Sequence, residues 1–172
     1  MKKWTLLLLI ATAVILSCNR AAYDEAPLPD WSAHKATPTM LAGLDTGRTY
    51  LSVYSSIYSL SEHKPHDLTA TVSMRNVHPT DTVYLTQADY FNTDGDLVKH
   101  YLQFPILIEP LETLEIVINE RDRTGGTGAN FIFHWSADST IPPPYFEAVM
   151  ISTTGSQGLS FTTKGVPIPN EE

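Results

Sequence analysis

The sequence predicts an all-β protein: a single antiparallel β-sandwich of roughly eight strands, immunoglobulin-like in broad architecture. Three observations carry this expectation. From Tyr50 onward, apolar and polar residues alternate with a period of two in one short segment after another, the pattern of a strand with one buried face. Gly, Pro, Asn and Asp clusters interrupt those segments at the spacing of a sandwich or barrel. No segment carries the 3.6-residue apolar stripe of an amphipathic helix.

In chain order, residues 1–17 read as a signal peptide. Met1-Lys2-Lys3 is a short basic start, Leu6 to Leu16 is an apolar run of signal-core length, and Ile15-Leu16-Ser17-Cys18 closes it. The run is too short to cross a bilayer as a helix, which takes about 20 apolar residues. Ile15-Leu16-Ser17-Cys18 resembles the lipobox of bacterial lipoproteins, in which a branched apolar residue and a small residue precede the cysteine that receives a diacylglyceryl group. Leu16 is bulkier than the small residue usual at its place. An ordinary secretory signal that happens to contain a cysteine is the plainer alternative, yet the chain's one thiol falls at the expected cleavage point. The resemblance implies a mature protein that begins at Cys18, carries more than one acyl chain and is stably anchored. Its expected location is the bacterial cell envelope, with the membrane as its first partner. Asn19, where an aspartate would mark the inner membrane, resembles the outer-membrane sorting pattern of hosts with two membranes. Residues 18–47 read as the lipidated N-terminus and a flexible tether, because Ala-Pro-Leu-Pro-Asp and Ala-Thr-Pro-Thr supply prolines and small residues without periodicity. At ~3 Å per residue such a stretch reaches several tens of ångströms.

The β-sandwich domain is expected over residues 48–166. Tyr50 to Ser59 sets Leu51, Val53 and Ile57 against Tyr50, Tyr54 and Tyr58, so either both faces of this strand are covered or the tyrosine face is left for a partner. Leu68 to Arg75 places Leu68, Ala70, Val72 and Met74 on one face and Thr69, Thr71, Ser73 and Arg75 on the other. Thr82 to Phe91 is the next strand. Asn92-Thr-Asp-Gly-Asp96 follows as a turn with Asp94-Gly95 at the left-handed position, and Leu97 to Gln103 is the hairpin partner. Pro105 and Pro110 bracket Ile106-Leu107-Ile108 and confine it to a short edge-like piece. Leu114, Ile116 and Ile118 alternate with Thr113, Glu115, Val117 and Asn119. Phe131, Phe133 and Trp135 form the core face of a strand whose other face carries Ile132 and His134. Ile141-Pro-Pro-Pro144 is a stiff connection to Phe146 to Ser152, and Thr154-Gly-Ser-Gln-Gly158 separates that strand from Leu159 to Thr163. Residues 167–172 read as a C-terminal tail.

The 172 residues, 42% hydrophobic and 17% charged, suit one domain with a real core. The net charge is −8, and becomes 9 − 19 = −10 once Lys2 and Lys3 leave with the signal. An acidic surface of this kind repels polyanions, which argues against nucleic acid and against charge-driven binding to anionic headgroups. Cys18 is the only cysteine, so neither an intramolecular disulfide nor a Cys-based zinc site can form.

Charge, glycine and aromatic alternation meet between Glu120 and Trp135. Gly125, Gly126, Thr127 and Gly128 offer successive backbone N–H groups of the kind that forms an anion nest. Arg121 and Arg123 add guanidiniums suited to a carboxylate or phosphate, and Asn130 lies beside them. The segment lacks the Lys-Ser ending and the following helix of a P-loop. A turn between strands, with both arginines paired to Glu120, Asp122 or other neighbours, explains the same residues. His63-Lys-Pro-His66-Asp67 puts two imidazoles and a carboxylate close together, the beginning of a zinc or copper site or simply a solvated, proline-containing loop. Asn92, Asp94 and Asp96 resemble part of a calcium loop. The first ligand of an EF-hand would fall on Tyr90 and the distal glutamate is missing, so hairpin chemistry accounts for them. Gly-x-Ser-x-Gly is absent, and a pairing of His134 with Asp89 or Glu147 is demanded by no spacing. No cofactor is expected.

Val53-Tyr-Ser-Ser-Ile-Tyr58, Asn76, Tyr90-Phe-Asn-Thr-Asp-Gly95, Gly125-Gly-Thr-Gly-Ala-Asn-Phe131 and Phe146-Glu-Ala-Val-Met-Ile151 together resemble the bacterial lipoprotein-type family catalogued as domain of unknown function 3124, over about Tyr50 to Gly165. That resemblance implies no catalytic residues. The function expected is that of a membrane-anchored envelope lipoprotein, a non-enzymatic module for binding an envelope protein or a small anionic ligand. Two alternatives stay open: a metal-dependent hydrolase or metal-binding protein using His63 and His66, and a structural envelope spacer.

Overall fold

The computed structural model describes residues 27–153 and 158–170. Cys18 and the signal peptide lie outside the described residues. Twelve strands occur among those described: β1 (Asp45–Ser52), β2 (Ser56–Ser59), β3 (Ser61–Asp67), β4 (Thr69–Arg75), β5 (Val83–Phe91), β6 (Leu97–His100), β7 (Ile106–Ile108), β8 (Thr113–Ile118), β9 (Asn130–Ala137), β10 (Tyr145–Ser152), β11 (Leu159–Lys164) and β12 (Val166–Ile168). One sheet runs β12-β1-β9-β5-β6, with β7 sharing the outer edge of β5 with β6. A second runs β11-β10-β4-β8, and β2 pairs with β3 in a separate ribbon. Every pairing is antiparallel. The protein is thus all-β and sandwich-like rather than a closed barrel.

Period-two alternation accounts for the core. Ala70, Val72 and Met74 of β4, Ile116 and Ile118 of β8 and Ala148 and Met150 of β10 are buried from one sheet, against Leu51, Phe131 and Phe133 from the other. An aromatic ladder crosses the interior. Tyr90 stacks on Phe131 at 4.9 Å, Phe131 on Phe133 at 5.3 Å and Phe133 on Phe146 at 4.3 Å between ring centroids. In β5 the alternation changes phase: Val83 and Leu85 face inward, then Ala88 and Tyr90. A register shift between Leu85 and Gln87 absorbs the extra residue, so both ends of the strand reach the core. The chain passes from one sheet to the other at Gly165, whose N–H bonds the Phe146 carbonyl at 2.9 Å. A Cβ there would lie 2.6 Å from Thr49 Cγ2 and 3.0 Å from Phe146 Cβ, so only glycine lets the layers approach this closely.

Several segments depart from the sequence expectations. Tyr50 to Ser59 is not one strand: Val53, Tyr54 and Ser55 leave β1, and the chain re-enters as β2. His63 to Asp67, expected as a loop, belongs to β3. Pro65 is accommodated because a two-stranded ribbon is all edge and has N–H positions that need no partner. Val166 to Ile168 extends beyond the expected end of the domain as β12, paired with Arg48 to Tyr50. Trp135 is half-buried rather than fully in the core; its indole lies over Gly47 and donates to Thr49 Oγ1 at 3.1 Å.

Part of the expected tether is packed structure. Trp31 and Ala36 are buried, Ala36 N–H donates to the Pro105 carbonyl at 2.9 Å, and Lys35 bridges to Ile106. A 3-10 turn at Ser32–His34 and one helical turn at Pro38–Leu41 complete this segment. His34 Nε2 is tied to Glu112 Oε1 at 2.8 Å. Glu112 is partly desolvated, but the Glu109 N–H and the His34 ring outweigh that burial and hold its carboxyl below the ordinary glutamate value.

Candidate functional site

Three connections meet at one end of the sandwich: Val53–Ser55 after β1, the Asn92–Asp96 turn after β5, and the long loop between β8 and β9. They meet there because β9 lies between β1 and β5, so its first residue, Asn130, is opposite both Ser52 and Phe91. Val53 N–H bonds the Ala129 carbonyl at 2.9 Å. The Gly126 carbonyl accepts from Ser55 Oγ at 3.1 Å and Ser56 N–H at 3.3 Å. Thr93 donates its N–H and its hydroxyl to the Gly125 carbonyl, both at 3.0 Å, while its Oγ1 accepts Gly128 N–H at 2.8 Å.

Much of the expected anion nest is therefore spent inside the fold. Gly126 N–H goes to the Arg123 carbonyl and Gly128 N–H to Thr93. The glycines serve close packing: a Cβ on Gly125 would sit 1.9 Å from the Tyr90 hydroxyl, and Gly126 has φ +74 with Thr93 Oγ1 2.6 Å from its would-be Cβ. Beneath them the Tyr90 hydroxyl is buried without a well-formed hydrogen bond among the described residues; burial pushes its pKa up to about 12, against the Ser55 hydroxyl, which pulls it down. Thr127 and Asn130 are half-buried beside the loop.

Two of the sequence candidates turn out to be each other's partners. Arg123 donates through Nε, at 3.1 Å, and through Nη2 to the same Asp67 oxygen. Arg121 is exposed; its backbone N–H bonds Asn119 Oδ1 at 2.9 Å, and its guanidinium has no partner among the described residues. His63 and His66 are engaged separately: His63 lies 85% exposed beside Glu62, and His66 Nε2 contacts Ser152 Oγ at 2.9 Å. Among the described residues no group of three or more His, Cys, Asp and Glu side chains is placed to hold a metal ion. Asn92 Oδ1 accepts from the N–H groups of Asp94 and Asp96 at 3.0 and 2.8 Å, which caps the hairpin. Asp89 pairs with His100 at 2.8 Å, and Glu147 lies 3.9 Å from Arg75. Asn76 is buried, donates to the carbonyls of Asp81 and Ile108 and accepts from His78 N–H, so its role is to hold the β4–β5 connection.

A concave feature lies elsewhere, at the outer edge of the larger sheet, where the chain leaves β6 for β7 and the N-terminal segment crosses over it. This pocket holds about 200 Å³ and is lined by Leu28, Asp30, Trp31, Tyr101, Gln103 and Phe104, among others. Trp31 and Tyr101 are each 8% exposed, so their rings form fixed walls. Lys35 Nζ sits 5.2 Å from the Phe104 ring centroid and Lys99 Nζ 5.3 Å from that of Tyr101. Asp30 Oδ1 accepts the Ser32 N–H at 3.0 Å, which together with the Ser32 hydroxyl holds its carboxyl below the ordinary value. These residues do not stand out in the sequence as a site. The available signal was a tryptophan following Pro29-Asp30 in an otherwise small and polar stretch, a large apolar group that needs a surface to cover it.

No curated protein and no solved structure matches the chain. A family model described as "Protein of unknown function (DUF3124)" matches residues 46–168. That span takes in the β-sandwich from β1 to β12, and the chain belongs to this family.

Proposed function

We propose that the chain is a lipid-anchored envelope protein whose β-sandwich is a non-enzymatic binding module, with the aromatic pocket at the sheet edge as its binding site. The observation that carries this reading is the pocket itself, a concavity with rigid apolar walls and a few polar groups, the usual form of a small-molecule site. The lipobox-like Ile15-Leu16-Ser17-Cys18 supports the anchor. Nine residues lie between Cys18 and Leu28, a reach of at most ~35 Å, so the pocket works close to the lipid surface. The envelope supplies the ligand.

Fractionation tests the anchor: the wild-type chain goes to the membrane fraction and incorporates radiolabelled palmitate, whereas Cys18→Ser is released and unlabelled. A Cys18→Ser chain that stays with the membrane would overturn the anchor. Thermal-shift screening of envelope extracts tests the module, with an upward shift expected. Chemical turnover of the stabilising compound would overturn the non-enzymatic reading.

A further inference from the structure

We propose that the pocket between Trp31, Tyr101 and Phe104 takes one neutral pyranose ring of a glycan. This rests on the binding-module reading and names its ligand class. At about 200 Å³ the pocket lies below the roughly 300–1,000 Å³ of most ligand sites, which suits a ligand held by one ring. Half-buried Phe104 and the exposed margins of Trp31 and Tyr101 line the pocket with aromatic surface of negative quadrupole, and a pyranose presents one face of slightly positive C–H groups. The polar groups on the lining match hydroxyls, which both donate and accept. Asp30 is an ionised acceptor with lone pairs to spare beyond Ser32. Gln103 can do both, and its side chain, like the Trp31 indole N–H, has no partner among the described residues.

Charge decides against the other occupants of an aromatic site. The ammonium groups of Lys35 and Lys99 already sit over the Phe104 and Tyr101 rings. Rings already engaged by these cations disfavour a quaternary ammonium, and Asp30, the one carboxylate or basic side chain on the lining, disfavours an anion.

The test uses the full chain in a detergent without a sugar headgroup. Methyl β-glucopyranoside, methyl β-galactopyranoside and N-acetylglucosamine are the probes, with tetramethylammonium and benzoate as competing classes. Saturation-transfer NMR and tryptophan fluorescence should show millimolar binding of at least one sugar, with transfer strongest to its ring C–H protons. Gln103→Ala and Asp30→Asn, both at exposed positions, should leave the circular dichroism unchanged and weaken that binding about tenfold each, the effect of losing one hydrogen bond. Sugar binding that both variants leave intact overturns the proposal. Binding of tetramethylammonium or benzoate without any sugar also overturns it while leaving the binding-module reading standing. Silence from all five probes counts against both.

Discussion

Replacing Tyr90 by phenylalanine should stabilise the fold. The ring is 1% exposed and stacks on Phe131 at 4.9 Å, contacts that phenylalanine keeps. The hydroxyl is buried without a well-formed hydrogen bond among the described residues, although the Ser55 hydroxyl acts on it, which costs up to about 1–3 kcal/mol relative to water. Its removal forfeits a few dispersion contacts worth some tenths of a kcal/mol. The net gain at pH 7 is about 1 kcal/mol, a rise in Tm of roughly 3–5 °C for a domain of this size. The gain grows in alkali. The phenol titrates at about 12 in the folded protein against 10.0 in the unfolded chain, so between those values the folded state holds a proton that the unfolded state releases. The Tyr90 contribution is intact below pH 10 and declines by up to about 3 kcal/mol as pH rises toward 12; Tyr90→Phe removes that decline. The same hydroxyl is the nearest obstacle to a side chain at position 125, at 1.9 Å, with Tyr90 Cζ next at 2.7 Å. Gly125→Ala should therefore cost about 1–3 kcal/mol or more, and about 1 kcal/mol less when Tyr90 is already phenylalanine. Urea denaturation of the four proteins at pH 7 and pH 11 measures every term. A loss of more than about 1 kcal/mol in Tyr90→Phe at pH 7, or additivity of the two changes within ~0.5 kcal/mol, would refute the reasoning.

Three further expectations follow from particular contacts. Gly165→Ala should lose about 1–3 kcal/mol in thermal denaturation, because its Cβ would meet Thr49 Cγ2 at 2.6 Å where the chain changes sheets; an unchanged Tm would mean that the layers separate there freely. Glu112→Gln should destabilise at pH 7 and make little difference at pH 2. The Glu112 carboxyl titrates below its ordinary value when folded, so its contribution is present above the usual glutamate range and lost as pH falls through the lowered value. A deficit that persists unchanged at pH 2 would remove the His34 and Glu109 contacts as its cause. Excess zinc should move the Tm by less than about 1 °C, since His63, His66 and Asp67 are committed to Glu62, Ser152 and Arg123 respectively; a rise of several degrees would show that they regroup around the ion.

Strand existence was legible wherever one face is buried, because the pleat alternates side chains regardless of which strand lies next door. β4, β8 and β10 are the clearest cases, and the β5–β6 turn was readable from Asp94-Gly95, with Gly95 at φ +85. β3 was not readable: Glu62, His63, Lys64 and Pro65 are exposed, so nothing in their order records a pairing made through backbone alone. The glycine loop was conspicuous in the sequence, but the partners of its N–H groups were not. Thr93 lies 35 residues from Gly128, and Asp67 lies 56 from Arg123.

By itself the sequence determined the fold class, the position of most strands and the family, since each follows from local alternation, turn residues and short motifs. Only the tertiary structure decided that the glycines accommodate Tyr90 and Thr93, that Arg123 is answered by Asp67, and that Trp31 walls a pocket with Tyr101 and Phe104. Those contacts depend on which strands become neighbours, and in an antiparallel sandwich that choice is made by burial across two layers, which no single segment encodes.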